Sequence, residues 1–227
     1  MCGRYALYGP HSRYRDRFNT IEAFDFGERF NIAPSSTVPV IRQDADGSRH
    51  VVMAKWGLVP FWVKDPKTIN HPINAVAETA AIKPMFRQAF RTGRILVPAD
   101  AFYEWQPGPG GRKTPFLIRM RDEAPFGMAG LLEHWKTPSG EDLLTFTILT
   151  VAANVLVGKI HNRMPAIIKP EDYAIWLDRE MTDVEKLQAL LAPYPERLME
   201  AYQISTRVNS PRNDTADLLK PTMDEEA

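Results

Sequence analysis

Position 2 carries the most distinctive chemistry in the chain. The sequence opens Met1-Cys2-Gly3-Arg4-Tyr5 and contains one cysteine. Removal of Met1 leaves two nucleophiles on one residue, an α-amine with a reference pKa of about 8 and a thiol at about 8.5. An aldehyde condenses with the amine to an imine and releases water. The sulfur then adds to the same carbon and closes a five-membered thiazolidine. Only an N-terminal cysteine offers both steps, and other N-terminal nucleophiles use their own amine in a related way. The alternative role for Cys2 is a small packed thiol. A lone cysteine makes no internal disulfide and, by itself, no zinc site.

Two further groups could move protons in such a reaction. Glu104 lies in Leu96-Val97-Pro98-Ala99-Asp100-Ala101-Phe102-Tyr103-Glu104-Trp105. Aromatic surroundings would raise its pKa and suit it to general acid-base work, whereas an outward-facing strand glutamate would be plain surface. His161 stands in the polar cluster His161-Asn162-Arg163, closed by Met164-Pro165. That pattern reads as a loop presenting His161 and Arg163 together. Histidine can shuttle the proton when a sugar ring opens or an imine forms, and arginine can hold a phosphate. Asn74, ahead of a helix, reads by residue type as a cap or turn residue. The run Trp56-Gly57-Leu58-Val59-Pro60-Phe61-Trp62 offers a ring for stacking a base, or rings for the core. Arg87, Arg91 and Arg94 gather near a helix end, where they meet either phosphate or water.

These groups must be positioned by short segments, because 19 prolines divide the chain. The patterning predicts strands over 37–41, 50–56, 94–98, 101–106, 115–120, 126–132 and 143–151, with hairpin tips at 108–113 and 139–141. Helices are predicted over 79–91, with Met85, Phe86 and Phe90 at helical spacing, and from Pro170 through Tyr173 and Trp176. A third follows Thr182, whose capping box with Glu185 precedes Leu187, Leu190 and Leu191. Strands and helices do not alternate strictly, which argues against a doubly wound parallel sheet and for an α+β fold. One domain is expected over 1–220, followed by a polar tail, 221–227, that frays.

Composition narrows the function classes. The chain has 227 residues, 44% hydrophobic and 25% charged, as in an ordinary globular protein. Lys plus Arg and Asp plus Glu each total 28, so no global positive field exists and any nucleic-acid surface is a local patch, expected around Cys2, Arg4 and Arg163. No apolar run approaches the roughly 20 residues of a membrane span, and no secretory leader is evident, so a cytoplasmic protein is expected.

Taken together, the segments resemble the SOS-response-associated peptidase family, whose members shield abasic sites by crosslinking to them. The resemblance rests on Met1-Cys2-Gly3-Arg4, Asn31-Ile32-Ala33-Pro34, Trp56-Gly57-Leu58-Val59-Pro60, Asn74-Ala75 with Glu78-Thr79, Pro98-Ala99-Asp100 with Phe102-Tyr103-Glu104-Trp105, His161-Asn162-Arg163-Met164-Pro165, and Ser205-Thr206 with Val208-Asn209. It runs over nearly the whole chain. It implies one α+β domain on a curved, barrel-like, mostly antiparallel β-sheet flanked by helices. It further implies removal of Met1 and a thiazolidine between Cys2 and the ring-opened abasic site in single-stranded DNA. Asn74 would orient the Cys2 end and sense the abasic site, with Glu104 and His161 assisting ring opening and proton transfer. Arg4, Trp62, Thr150 and Arg163 would line the DNA channel. No cofactor or metal is called for, and a monomer is expected, associated with the nucleoid when bound to DNA.

The chain departs from the family pattern at Val76, where an arginine is common, and at Ala101, where glycine is usual. The loop from Phe61 to His71 is longer than usual. Two other functions share some of these features. Met-Cys-Gly also begins glutamine amidotransferases with an N-terminal cysteine, but their arginine and glycine-rich substrate signatures are not found here. A noncovalent single-strand binder would need only the Trp and Arg sets.

Overall fold

The long alternating segments pair into a closed ring. The structure is a computed structural model and describes residues 2–137 and 139–222. Met1 and residues 223–227, most of the expected tail, lie outside the described residues. In chain order the elements are β1 (Tyr5–Leu7), α1 (His11–Phe18), β2 (Arg29–Ile32), β3 (Thr37–Gln43), β4 (Arg49–Trp56), β5 (Asn74–Val76), α2 (Ala77–Ala80), α3 (Arg87–Thr92), β6 (Arg94–Ala99) and β7 (Ala101–Pro107). They continue with β8 (Lys113–Met120), β9 (Phe126–Lys136), β10 (Asp142–Ala152), α4 (Val155–Gly158), β11 (Arg163–Pro165), β12 (Ile167–Ile168), α5 (Tyr173–Leu177), α6 (Val184–Ala189) and β13 (Met199–Gln203).

β10, β4, β3, β6 and β9 form a barrel, because β9 pairs with both β6 and β10. Every contact in the ring is antiparallel except β10 with β4, and closure leaves no free edge within it. This is the mostly antiparallel, barrel-like α+β architecture that the resemblance implies. Beyond the ring, β5 continues the β4 edge of β10 in parallel, while β11 continues the opposite edge. The end of β10 thus carries one short strand on either side.

A second sheet runs β13-β8-β7-β1-β2. Strand period explains its two buried faces. Tyr5, Leu7, Phe102 and Ile118 join the main core with the barrel, while Ala6, Ala101, Tyr103 and Leu117 pack outward against Ile204, Val208 and Leu218. Ala101, small enough to pair with Ala6 on this outward face, is wholly buried.

The predicted helix over 79–91 is two pieces. Pro84 lacks the N–H an inner helical turn needs, so α2 stops and the chain turns before α3. The cap of α6 is Asp183, one residue past the predicted Thr182; its carboxylate accepts from Lys186 N at 3.1 Å. At the start of the expected tail, Thr222 N donates to Gln203 O at 3.0 Å and Pro221 bridges Ile204.

Arg94 is not the surface cation its neighbours suggest. It is 3% exposed, and its guanidinium donates to the carbonyls of Phe90, Arg91, Trp176, Asp178 and Met181. These carbonyls end α3 and α5, where helices leave unpaired acceptors and favour a cation. Burial pulls the Arg94 pKa down to about 10. Arg87 and Arg91 remain exposed.

A buried carboxyl also sits on the barrel wall. Glu133 on β9 is 6% exposed and lines a groove of about 700 Å³ with Arg42, Phe61, Gln88 and Arg179. Burial raises its pKa to about 7, against a partial offset from the Phe61 amide. The folded state therefore binds this proton more tightly than the unfolded chain, and the group costs stability as pH rises from the ordinary carboxylate range through 7. Glu133→Gln is expected to raise the unfolding free energy near pH 8 by about 1–3 kcal/mol, with the gain vanishing toward pH 4. Urea titrations at the two pH values check this, and a gain independent of pH would refute it.

Candidate active site

Cys2 is placed by the register of β1. Tyr5 pairs with Phe102, and Tyr103 N donates to Arg4 O at 3.0 Å. Continuing that antiparallel register sets Gly3 beside Glu104 and Cys2 beside Trp105; Cys2 lies ahead of the regular strand, and its side chain leaves the strand alternation to enter the main core. Glu104 shares the face of Phe102, which packs on the main core to which Cys2 also belongs. Cys2 is 0% exposed and Glu104 2%. Burial pushes the Cys2 thiol up, and the nearby Glu104 charge adds to the effect. Burial likewise raises the Glu104 carboxyl, while His161 opposes the shift. At neutral pH the sulfur is held as a thiol, so attack requires a neighbour to take its proton.

Asn74 comes from the other side. It opens β5 opposite Ile148 on β10, and its Nδ2 donates to Cys2 O at 2.8 Å. This is not a helix cap but a tether on the reactive residue. Its Oδ1 is buried and makes no hydrogen bond among the described residues, which leaves an acceptor for a hydroxyl or ammonium group entering the site.

His161 follows α4, and its Nδ1 lies 3.0 Å from Arg163 N and 3.2 Å from Arg163 O. A neutral ring accepts the amide proton at Nδ1 and carries its own on Nε2; a protonated ring donates from Nδ1 to the carbonyl. One backbone unit therefore satisfies both charge states. Glu104 and His161 face a common groove of about 430 Å³ with Arg4, Trp105, Lys113 and Asn209. Cys2, Asn74, Glu104 and His161 are thus brought together from four distant segments.

The groove wall is knitted from both ends of the described chain. Arg4 donates to Asn31 Oδ1 at 2.9 Å and to Val208 O at 3.0 Å, and lies 5.9 Å above the Trp105 ring. Asn31 Nδ2 donates to the carbonyls of Val208, Ser210 and Asn213, and Trp105 Nε1 donates to Asn209 Oδ1 at 2.7 Å. Asn31 and Asn209 stood in recognised motifs without a role; here they build the wall. Lys113 had no sequence signal, since an exposed hairpin lysine is unremarkable until its strand is paired.

Other expected DNA-lining residues sit differently. Thr150 is wholly buried, with its hydroxyl donating to Ala75 O at 3.4 Å. Arg163 makes a two-pronged pair with Glu78, at 2.7 and 2.8 Å, and also donates to Thr150 O. Val76, opposite Thr150 on β5, brings no charge to this end of the site. The aromatic run divides: Trp56 is core, stacked on Phe146 and donating to Ile73 O, whereas Phe61 and Trp62 are 57% and 52% exposed. Among the described residues, the Lys and Arg side chains that line the groove are Arg4 and Lys113.

Known proteins are similar to this chain over nearly its whole length. The chain is 41% identical to the abasic site processing protein YoaM of Bacillus subtilis over 222 residues, covering 96% of this chain and 97% of the relative. It is 30% identical to the abasic site processing protein YedK of Escherichia coli over 234 residues, covering 97% and 100%. A crystal structure of a protein from Bacteroides thetaiotaomicron superposes with a TM-score of 0.86 at 27% identity, covering 98% of this chain and 100% of that one. The family profile described as SOS response associated peptidase (SRAP) matches residues 1–211, and the chain belongs to that family.

Proposed function

We propose that this protein processes abasic sites in single-stranded DNA, capturing the ring-opened sugar at Cys2 once Met1 has been removed. The observation that carries the reading is the tether from Asn74 Nδ2 to Cys2 O, 2.8 Å long, beside a buried Glu104 on a groove shared with His161. Relatives named abasic site processing proteins support it.

An abasic sugar exists as a ring hemiacetal in balance with an open aldehyde. Glu104, whose carboxyl burial raises above its usual range, can exchange a proton with the ring oxygen and hydroxyl as the ring opens. The Cys2 amine adds to the aldehyde carbon, and the resulting carbinolamine loses water when Glu104 or His161 protonates its hydroxyl. The thiol then yields its proton to the same pair while sulfur bonds to the imine carbon, and the nitrogen takes up a proton. One aldehyde and one cysteine become one thiazolidine and one water. Arg4 and Lys113 supply local positive charge for the flanking phosphates, and Trp62 a ring for stacking. Affinity should accordingly fall with added salt.

Intact-mass measurement tests the proposal. The active protein should start at Cys2, and mixing with an abasic oligonucleotide should add the mass of the oligonucleotide less one water. The adduct should survive heating in denaturant. A crosslinking protein that retains Met1 sinks the chemistry, loss of the complex in denaturant points to noncovalent binding, and ammonia released from glutamine points to an amidotransferase.

A further inference from the structure

The pair between Glu78 and Arg163 closes a ring of contacts that joins two of the groups proposed to act on the sugar. Thr150 lies at its centre, with Val76 of β5 opposite it on one edge of β10 and Pro165 of β11 on the other. Its hydroxyl donates to Ala75 O, next to Asn74, and its carbonyl accepts from the Arg163 guanidinium. Glu78, four residues after Asn74, completes the ring by accepting both prongs of Arg163. The Arg163 backbone in turn faces His161 Nδ1 through both its N–H and its C=O.

We propose that Glu78 is a positioning residue, which fixes the Arg163 backbone and through it the orientation and tautomer of the His161 ring relative to Asn74. This rests on the abasic-site reading for its functional consequence. Arg163 would reach a DNA phosphate only by giving up Glu78, whereas in the pair it spends its charge and both prongs on local geometry. The pairing also holds the Glu78 carboxyl below the usual glutamate range, so it persists as the carboxylate that a two-pronged contact needs. Glu78 is itself 53% exposed at its side chain, so its removal leaves the core intact.

The test compares wild type, Glu78→Ala and Glu78→Gln in the full chain by two readouts. The first is the nitrogen NMR spectrum of the neutral His161 ring without DNA. The wild type should show the proton on Nε2, and Glu78→Ala a mixture of tautomers. The second is the rate of crosslinking to an abasic oligonucleotide at saturating DNA. It should fall about 10- to 100-fold in Glu78→Ala, with half-saturation unchanged and Glu78→Gln in between, since small misplacements of a proton-transfer group cost this much. Unchanged ring signals in Glu78→Ala overturn the proposal. So does a change confined to half-saturation, a tightening above all, which would make Arg163 a phosphate ligand held back by Glu78. A wild type that forms no adduct defeats the abasic-site reading instead, while the ring signals still judge the positioning role.

Discussion

Cys2→Ala is expected to leave no adduct with abasic DNA that survives heating in denaturant, whatever the incubation time. An imine could still form at the alanine amine, but with no sulfur to close the ring it hydrolyses. Glu104→Gln and His161→Ala should behave differently, retaining the nucleophile and slowing adduct formation by about 10²-fold or more, the usual worth of general acid-base catalysis. Loss of folding is not the cause to expect in Glu104→Gln. Burial already penalises the ionised carboxyl, so a neutral amide of the same shape removes that penalty as pH rises. Single-turnover gels resolve the two classes, and a crosslink formed by Cys2→Ala at the wild-type rate would show that the Cys2 sulfur takes no part in the bond.

Arg94→Met is expected to be the most damaging substitution for stability among those considered. It removes one guanidinium from five carbonyls at or just beyond the ends of α3 and α5, of which those of Phe90 and Trp176 are left buried. Leaving each of the two buried carbonyls without its donor costs about 1–3 kcal/mol, a fall in melting midpoint of roughly 5–20 °C for a chain of this size. Arg94→Lys should lie between, since a single ammonium cannot span all five acceptors. Because Arg94 is internal, the salt dependence of DNA binding should not change in either variant. A shallower slope with unaltered stability would place Arg94 on the DNA surface after all.

Arg94 shows why parts of the molecule were legible and others were not. Its proximity to Arg87 and Arg91 along the chain was correct, but side-chain direction depends on which face of α3 meets α5, residues about 80 positions away. The seven predicted strands correspond to β3, β4 and β6 to β10, whose residues alternate or run apolar for long enough to be read. β1, β5, β11 and β12 have two or three residues each and exist because longer neighbours offer them an edge, so no local period marks them. α1, with the sequence HSRYRDRF, carries only Tyr14 and Phe18 inward and lacks a side-chain cap. The Pro84 break was visible in the sequence but outweighed by the spacing of Met85, Phe86 and Phe90.

In the site, Cys2, Glu104 and His161 could be proposed from residue chemistry, because few residues perform those reactions. Asn74 could not, since its value lies in meeting the Cys2 carbonyl across 72 positions. Resemblance rather than local chemistry supplied it. The fates of Arg163 and Thr150 were also hidden, because Glu78 competes with phosphate for the same guanidinium only once β5 and β11 flank β10.

The contacts of Asn31 with Val208, Ser210 and Asn213 set an order of events during synthesis. Arg4 and Asn31 leave the ribosome early, yet the carbonyls they hold are made 177 to 204 residues later. At cellular elongation rates that gap lasts roughly 10 to 40 s. Throughout it the barrel strands can emerge and pair while the groove beside Cys2 lacks its outer wall. The reactive end of a nascent chain is therefore finished last, although it is made first, and aldehydes met before then find a cysteine without its enclosing pocket.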